Sequence, residues 1–519
     1  MTLKIFAGCM VVVALSTTAL ARAAETPLAD AVQRLDRQAV SELLRHADVN
    51  AAQVDGMTAL HWAAYHDESD VVDRLVDRGA AVEATNRYGV TPLSIASANG
   101  NAAIVRSLLD AGAGPNTTLP GGETVLMTAA RTGRPAVVRA LLAAGADAHR
   151  TEARRGQTAL MWAAAEGHVD VVEVLLEIGA DFRTPLDSGF TPLLFAVREG
   201  HLEVTRTFLR AGADVNVVVE AVASRARPLP GGRPIRVGTT PLLLAVTNGH
   251  FELAAELLRA GAQPDADVGG HTVLHALARV RKPGGGDNNP APDGSGTMSS
   301  LEFVRELAAY GANLDARMTR RRNLNNTRFN EIGATPFMLA ALTGDAMLMN
   351  TLAELGADPL RPNAENSTPL MAAAGLGTRS PGEDAGTEDE VLDALEAALA
   401  LGADLNAIDD NGETAMHGAA YKNLPEVVAY LAASGSKAEV WNQRNRFGWT
   451  PLSIARGYRF GNFKPSPVTV AAVENALISQ GITPLTAAEE DATSFDIYAP
   501  RTPRSTPPRA AAPSSLPPR

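Results

Sequence analysis

The chain has 519 residues, a formal net charge of −12 and a single cysteine. A hydrophobic content of 45% excludes a largely disordered chain, and one cysteine excludes a disulfide framework or a cysteine-based zinc site. The negative charge also argues against general nucleic-acid binding, which needs a basic surface.

The first 23 residues have the pattern of a secretory signal peptide. A basic start precedes the mostly apolar stretch 5–20, and Ala21-Arg22-Ala23 fits a cleavage site. A retained membrane anchor is one alternative, although the apolar run is short and interrupted by Ser and Thr. Lipidation of Cys9 is another, although the longer apolar run follows this cysteine instead of preceding it. We expect residues 1–23 to be removed from a periplasmic or secreted protein.

Threonine recurs through the rest of the chain in a constant context. Glycine, or asparagine in one case, stands two residues before each threonine, and Pro, Ala or Val follows it directly. Threonine accepts a backbone N–H at the start of a helix, and proline at the first helical position loses no hydrogen bond. The spacing therefore predicts a helix after each of Thr58, Thr91, Thr124, Thr158, Thr191, Thr240, Thr272, Thr335, Thr368, Thr414 and Thr450.

A turn and a second helix complete each unit. Gly167-His168 is typical of the turn, Val171–Leu176 of the amphipathic second helix, and Gly179 of the left-handed residue that ends it. The pattern resembles the ankyrin repeat family, with close matches at Gly56–Ala64 and Gly412–Ala420. The resemblance implies an all-α repeat solenoid of about 11 helix-turn-helix units with β-hairpin or loop fingers along one edge. It also implies protein–protein binding as the activity.

The repeat register predicts the domain boundaries. Residues 24–55 are expected to form a degenerate N-terminal capping repeat, 56–484 the solenoid, and 485–519 a disordered tail rich in proline and arginine. Insertions interrupt the register at about 217–237, 281–300, 316–332, 375–389 and 457–467. We expect 281–300 and 375–389 to be flexible loops because they are rich in Gly, Pro, Asp and Ser. The aromatic and basic composition of 457–467 predicts an adhesive surface.

Arginine clusters mark two long fingers and a third, slightly long one that holds Trp441, Arg444, Arg446 and Phe447. The fingers after Gly212 and Gly311 carry net charges of +2 and +3 on a negatively charged chain. We predict that the fingers and the adjoining concave face bind an acidic protein or another polyanion. The alternative is that these loops are merely solvated, since the chain has 41 Arg and only 5 Lys. The predicted partner-binding residues are Arg225, Arg227, Arg233, Arg236, Arg320, Arg321, Arg322, Arg328, Trp441, Arg444 and Arg446.

Catalytic and metal-binding patterns are weak in this sequence. His61, His275 and His417 occupy a position that holds Met, Ser or Leu in the other units, which indicates packing and turn chemistry. His271 lies four residues before His275, as in a metal pair on a helix, but no third ligand is evident. The stretch 404–412 loosely resembles a calcium loop without its terminal Glu, so finger-turn hydrogen bonding is favoured.

We therefore predict a non-enzymatic protein–protein interaction scaffold, exported to the periplasm and without a cofactor. We expect a monomer that has protein partners, no specific nucleic-acid partner and no transmembrane segment after signal cleavage. Two alternatives stay open: a secreted effector or toxin that engages host proteins, and an envelope-tethered structural component. No Gly-x-Ser-x-Gly, phosphate-loop, His-Glu-x-x-His or dinucleotide-binding motif is present in the sequence.

Overall fold

The structure is a computed structural model that describes residues 26–220, 237–283, 291–321, 328–459, 465–486 and 488–489. Within these ranges the chain forms 25 helices. In chain order they are α1 Pro27–Gln33, α2 Arg37–Leu43, α3 Ala59–Tyr65, α4 Ser69–Asp77, α5 Pro92–Asn99, α6 Ala102–Asp110, α7 Val125–Arg131, α8 Pro135–Ala143, α9 Ala159–Glu166, α10 Val169–Glu177, α11 Pro192–Glu199, α12 Leu202–Arg210, α13 Pro241–Thr247, α14 Phe251–Arg259, α15 Val273–Arg281, α16 Ser300–Ala309, α17 Pro336–Leu342, α18 Ala346–Glu354, α19 Pro369–Ala373, α20 Glu388–Ala400, α21 Ala415–Lys422, α22 Pro425–Ala433, α23 Ala438–Trp441, α24 Pro451–Ala455 and α25 Pro467–Ser479. The predicted all-α repeat architecture is confirmed.

The recurring threonines stand directly before the first helix of each pair. Nearly all of them accept the backbone N–H of the third helical residue, which satisfies one of the donors that a helix start leaves open. The threonines with this bond are Thr58, Thr91, Thr124, Thr158, Thr191, Thr240, Thr335, Thr368 and Thr450. Thr414 instead contacts the ring of His417, and Thr272 immediately precedes α15.

The chain divides into two compact units, which are described separately. Unit 1 comprises Met1–Val273 with Pro292–Ala312, and unit 2 comprises Leu274–Ala291 with Asn313–Arg519. The division falls within the repeat that carries the insertion at 281–300. The first helix of that repeat, α15, belongs to unit 2 except for its first residue, Val273. The second helix, α16, belongs to unit 1.

In unit 1, first helices stack on first helices and second helices on second helices. Leu60 of α3 and Leu75 of α4 are at most 1% exposed, as is typical of the core between neighbouring pairs. Turn histidines link one pair to the next: His168 Nε2 lies 2.9 Å from the Arg131 carbonyl, and His250 Nε2 lies 3.0 Å from that of Arg198.

Residues 292–300 of the insertion at 281–300 belong to unit 1 and are bonded within it. The backbone N–H of Ser295 donates to His250 Nδ1 at 3.0 Å, and Ser295 Oγ lies 3.1 Å from the Gly200 carbonyl. The expectation of a free, flexible loop is therefore wrong for residues 291–300. The inter-helix histidine supplies the acceptor that holds this part of the loop.

Unit 2 repeats the same packing with more charge inside it. Its first helices α17, α19, α21 and α24 stack in order, and so do its second helices α18, α20, α22 and α25. Phe337, Leu395 and Val428 are fully buried in the resulting core. A buried ion pair joins the end of α15 to the next pair, since Arg281 Nε lies 2.6 Å from an Asp345 oxygen.

The predicted fingers are hydrogen-bonded turns in the described residues, not two-stranded hairpins. The strand pairing there is limited to one isolated β-bridge between Thr118 and Thr124. Neighbouring turns are joined by single backbone bonds, such as Asp410 N to Glu365 O at 3.0 Å and Arg446 N to Asn411 O at 2.8 Å. One bond per neighbour holds the fingers in a row without forming a β-ladder.

None of the described helices combines the length and the apolar composition that a bilayer span requires.

Candidate binding cleft

The predicted partner-binding arginines fall into two groups. Arg320, Arg321, Arg328, Arg444 and Arg446 lie in unit 2 and are exposed. The arginines of the first long finger and one of the second lie outside the described residues, namely Arg225, Arg227, Arg233, Arg236 and Arg322. The predicted signal peptide at 1–23, Cys9 and nearly all of the predicted tail also lie outside them.

Trp441 belongs to the core and not to the predicted binding surface. It ends the short helix α23, and its side chain is 1% exposed. The large apolar indole is buried because the third finger contains a helical turn that packs against α21. In this structure Trp441 is therefore not available to a partner.

Three segments that break the repeat register meet at one cleft in unit 2. Residues 328–330 come from the long finger, 376–378 from the insertion at 375–389, and 446–447 from the third finger. The cleft has a volume of about 460 Å³, including the part that is open to solvent. Its lining residues are Arg328, Phe329, Asn330, Glu365, Ser367, Leu376, Gly377, Thr378, Asp409, Asn411, Glu413, Tyr421, Arg446 and Phe447.

The long finger and the insertion approach each other at the backbone. Arg328 N donates to the Gly377 carbonyl at 2.7 Å. Gly377 has φ +82°, and a Cβ built on it would lie 2.4 Å from Phe329 N. Only glycine therefore fits this position without displacing the finger.

Arginines gather at the mouth of the cleft. We call Arg321, Arg328, Arg379 and Arg446 the arginine rim. The guanidinium carbons of Arg328 and Arg446 lie 5.6 and 4.8 Å from the centre of the Phe447 ring. Partial burial lowers the pKa of Arg328, and the positive charges of Arg379, Arg446 and Arg321 lower it further. The rim is therefore a cluster of like charges, and one acidic residue of the lining, Glu365, lies beside it with its Oε1 3.9 Å from Arg446 Nη1.

The floor of the cleft is a buried hydrogen-bond network. Glu413 Oε1 lies 2.8 Å from Tyr421 Oη and 2.8 Å from Asn445 Nδ2, and both groups donate to it. Asp409 Oδ2 accepts from Ser367 Oγ at 2.8 Å. Glu413, Asp409, Tyr421 and Asn445 are all buried. The floor therefore holds two carboxyl groups beneath a cationic rim.

Burial shifts the titration of the floor. It raises the pKa of Glu413 to about 7, and the nearby charge of Asp409 contributes to the rise. Burial and the charge of Glu413 raise the pKa of Tyr421 well above its usual value. Tyr421 consequently remains a hydrogen-bond donor at neutral pH, whereas Glu413 changes charge close to it.

Two buried cations hold the insertion at 375–389 in place. Lys422 Nζ donates to the Ala385 carbonyl at 2.6 Å, and Arg459 Nη2 donates to the Thr378 carbonyl at 3.3 Å. Burial lowers the pKa of Lys422 to about 8 and that of Arg459 to about 10. The expectation of a flexible loop at 375–389 is therefore wrong, because this insertion is packed in the fold. Arg459 of the insertion at 457–467 is buried, and residues 460–464, on which the predicted adhesive surface also depends, lie outside the described residues.

The histidines after the threonines have a structural role. His61 Nε2 lies 3.0 Å from the Val90 carbonyl of the next unit, while its Nδ1 lies 2.8 Å from Thr58 Oγ1. His275 Nε2 contacts the Ala334 carbonyl at 3.2 Å. Burial lowers the pKa of His417 to about 4, so this ring is neutral at physiological pH. In the described residues, no group of three or more His, Cys, Asp or Glu side chains could hold a metal ion.

The stretch that resembled a calcium loop forms a finger turn. Asp409 Oδ1 accepts the backbone N–H groups of Asn411 and Glu413 at 2.8 and 2.9 Å. These bonds, together with the one from Ser367, engage both oxygens of Asp409. The arrangement is the finger-turn hydrogen bonding that the sequence favoured.

Sequence reasoning missed four residues of this site: Phe447, Arg379, Glu413 and Tyr421. Arg379 was overlooked because its loop was expected to be flexible. Phe447 was placed in the third finger, but only Trp441, Arg444 and Arg446 of that finger were predicted to bind a partner. Glu413 and Tyr421 stand at repeat positions and show no local motif. A buried acid before the capping threonine and a tyrosine seven residues after it were the available signals. Chemically, the site can attract an anionic group at its rim and present an aromatic face beside it.

Comparison with known protein families identifies the repeat. The family model for ankyrin repeats (3 copies) matches residues 13–86, 28–119, 78–152 and 126–219. The model for ankyrin repeats (many copies) matches residues 387–432, and the model for the ankyrin repeat matches residues 237–267. Together the matches cover more than half of the 519 residues. A search of curated proteins found no match. The matched ranges contain seven of the eleven recurring threonines, from Thr58 to Thr240 and at Thr414, and the chain is accordingly an ankyrin repeat protein.

Proposed function

We propose that this chain is an exported, non-enzymatic scaffold that binds an acidic partner protein at the cleft of unit 2. One observation carries the proposal: three segments that depart from the repeat register, around residues 328–330, 376–378 and 446–447, converge on this cleft. Repeats are stabilised by contacts with their nearest neighbours, so these insertions are not needed for stacking. Ankyrin repeat proteins generally act as interaction scaffolds. The insertions at the cleft are where this chain would differ from a repeat protein without insertions.

Charge supports an acidic partner. The chain as a whole carries −12, yet Arg328 and Arg446 line the cleft, and the positive charges of Arg321 and Arg379 act on Arg328. Holding like charges together costs folding free energy, and an anionic partner would offset that cost. Arginine and aromatic residues are also enriched among the side chains that dominate binding energies. The fingers and the adjoining face of the first helices would extend the contact area.

The proposed location and state are open to direct measurement. The signal pattern at 1–23 supports export to the periplasm, where the chain would act as a monomer. Fractionation of the native host should recover the protein in the periplasm. Recovery from the culture supernatant would instead support the secreted effector, and recovery in the membrane fraction the tethered component. Light scattering of the purified protein should give a single-chain mass.

A site-specific crosslinking experiment tests the binding site. A photo-crosslinking amino acid is placed at Phe447, or at Tyr88 as the matched control, and expressed in the native host. Phe447 is half-buried, and Tyr88 is an exposed finger aromatic that likewise has an arginine over its ring, at 4.7 Å, but lies in unit 1. We expect an adduct with one acidic protein from position 447 only, and its loss when Arg328 and Arg446 are both changed to Gln. Adducts of equal yield from both positions, or an adduct that survives the double change, would refute the assignment.

A further inference from the structure

The cleft of unit 2 has two layers of opposite charge. Its rim carries Arg328 and Arg446 beside the Phe447 ring, and its floor carries the buried carboxyl groups of Asp409 and Glu413. An incoming carboxylate is attracted by the rim and repelled by any ionised group of the floor. The net attraction therefore depends on the charge of the floor.

Asn445 links the two layers. Its Nδ2 donates to Glu413 Oε1 at 2.8 Å, and its Oδ1 accepts the backbone N–H groups of Phe447 and Trp449, each at 3.0 Å. The turn that presents Arg446 and Phe447 is therefore built on a side chain that is bonded to Glu413. A change at the floor reaches the rim through one residue.

We propose that the cleft binds the carboxylates of an acidic peptide segment and that Glu413 takes up a proton as the segment binds. The inference rests on the proposed function, because the site is the same. Guanidinium groups bind carboxylates through two parallel hydrogen bonds, and the exposed Arg328 and Arg446 lie close enough to share one ring. Phe447 offers an apolar face to the neighbouring side chain of the segment.

The surroundings of Glu413 support the proton uptake. The charged and titratable groups that face it are Tyr421 from α21, Asp409 from its own turn and Arg446 from the next turn. Glu365 of the preceding turn lines the same cleft, with its Oε1 3.9 Å from Arg446 Nη1, and Arg459 faces Tyr421. Burial keeps the pKa of Tyr421 well above its usual value, and arginines stay cationic at neutral pH. The pKa of Glu413 is about 7, so its charge changes between pH 6 and pH 8. Bound carboxylates favour its neutral form.

The test uses a defined probe and the full chain. A fluorescein-labelled peptide of four Glu-Gly repeats is titrated with protein at pH 6 and pH 8, and binding is followed by fluorescence anisotropy. The glutamates of the peptide are ionised at both values. We expect the wild-type affinity to fall about fivefold from pH 6 to pH 8, the order expected for two unit charges roughly 10 Å apart near a protein surface. Glu413→Gln should bind equally well at both values, and Arg446→Gln should bind more weakly at both.

The controls separate the possible outcomes. Arg106→Gln removes one exposed arginine from unit 1 and should bind the peptide as the wild type does. Thermal melts at both pH values check that each variant is folded. A fall in affinity that is the same in Glu413→Gln and in the wild type would overturn the role of Glu413. If polyphosphate displaces the peptide and binds with higher affinity than the peptide does, the assignment to carboxylates is wrong. If the peptide does not bind while the crosslink from position 447 still forms, this inference fails and the proposed function stands.

Discussion

Replacing Glu413 with Gln should make the stability of unit 2 less sensitive to pH. The side chain is buried, and its Oε1 accepts hydrogen bonds from Tyr421 and Asn445, both of which an amide oxygen can also accept. The Glu413→Gln variant would therefore keep the network while removing the ionisation. The two proteins should differ mainly in what happens when the carboxyl group loses its proton.

The sign follows from the raised pKa. An unfolded chain releases the Glu413 proton near pH 4.5, whereas the folded chain holds it until about pH 7. Below pH 4.5 both states are neutral and the group has no effect on folding. Between these values only the unfolded state gains by ionising, so the free energy of unfolding falls as the pH rises. Above pH 7 the loss is complete and amounts to about 3 kcal/mol, from roughly 1.4 kcal/mol per pH unit.

The assay is urea denaturation followed by tryptophan fluorescence at pH 5, 6, 7 and 8. A background with Trp62→Phe and Trp162→Phe leaves Trp441 and Trp449, which both belong to unit 2. Trp449 N is bonded to the Asn445 side chain, so its fluorescence reports on the network itself. Glu413→Gln should gain roughly 2–3 kcal/mol relative to its parent between pH 5 and pH 8, because part of the loss has already occurred at pH 5.

A matched control fixes the interpretation. Glu439→Gln removes an exposed carboxyl group from the same unit, and its difference from the parent should not change with pH. A constant difference between Glu413→Gln and its parent across the whole range would refute the reasoning. It would mean that the folded and unfolded states release this proton at the same pH.

Three further substitutions address the core, the cleft and the repeat. Trp441→Ala should cost roughly 3–5 kcal/mol by urea denaturation because the indole is fully buried; a loss below about 1 kcal/mol would contradict its placement in the core. Gly377→Ala should lower stability by about 1–3 kcal/mol and weaken peptide binding, since its Cβ would meet Phe329 N at 2.4 Å; unchanged anisotropy titrations would contradict the close approach. His61→Ala removes the bond to the Val90 carbonyl and should cost about 1–3 kcal/mol in thermal or urea unfolding. An unchanged free energy of unfolding would show that the bond does not couple these two neighbouring repeats.

The repeats could be predicted from sequence because each depends on short-range chemistry. A threonine such as Thr335 caps its own helix three residues away, and Gly356 ends the next helix of the same pair. Both signals lie within one unit, and the unit packs only on its neighbours. The spacing of a single chain therefore contains enough information to place the helices.

The cleft could not be predicted in the same way. Arg328 and Phe447 are 5.6 Å apart, from guanidinium carbon to ring centre, although more than a hundred residues separate them in the chain. The long finger that carries Arg328 extends past two intervening fingers. The repeat register specifies at which residue an insertion begins, but it does not specify which part of the fold the insertion contacts. Composition was also a poor guide to packing: the Gly- and Ser-rich loop at 375–389 is held by Lys422, whose burial is not evident from its neighbours in the sequence.

Buried ionisable groups concentrate around this cleft, and their pKa shifts all point toward the neutral form. Burial raises the pKa of Glu413 to about 7, and lowers those of Lys422 and Arg459 to about 8 and about 10. Each shift means that desolvation outweighs the partners present, so each group lowers the stability of the fold at neutral pH. In a repeat protein such costs in stability stay local, because each repeat is stabilised only by contacts with its neighbouring repeats. An apolar side chain at these positions would be the more stable solution, so stability alone does not account for three such groups around one cleft. Lys422 and Arg459 bond to the insertion that forms one side of the cleft, and Glu413 lines the cleft itself, which is why we propose unit 2 as the binding site.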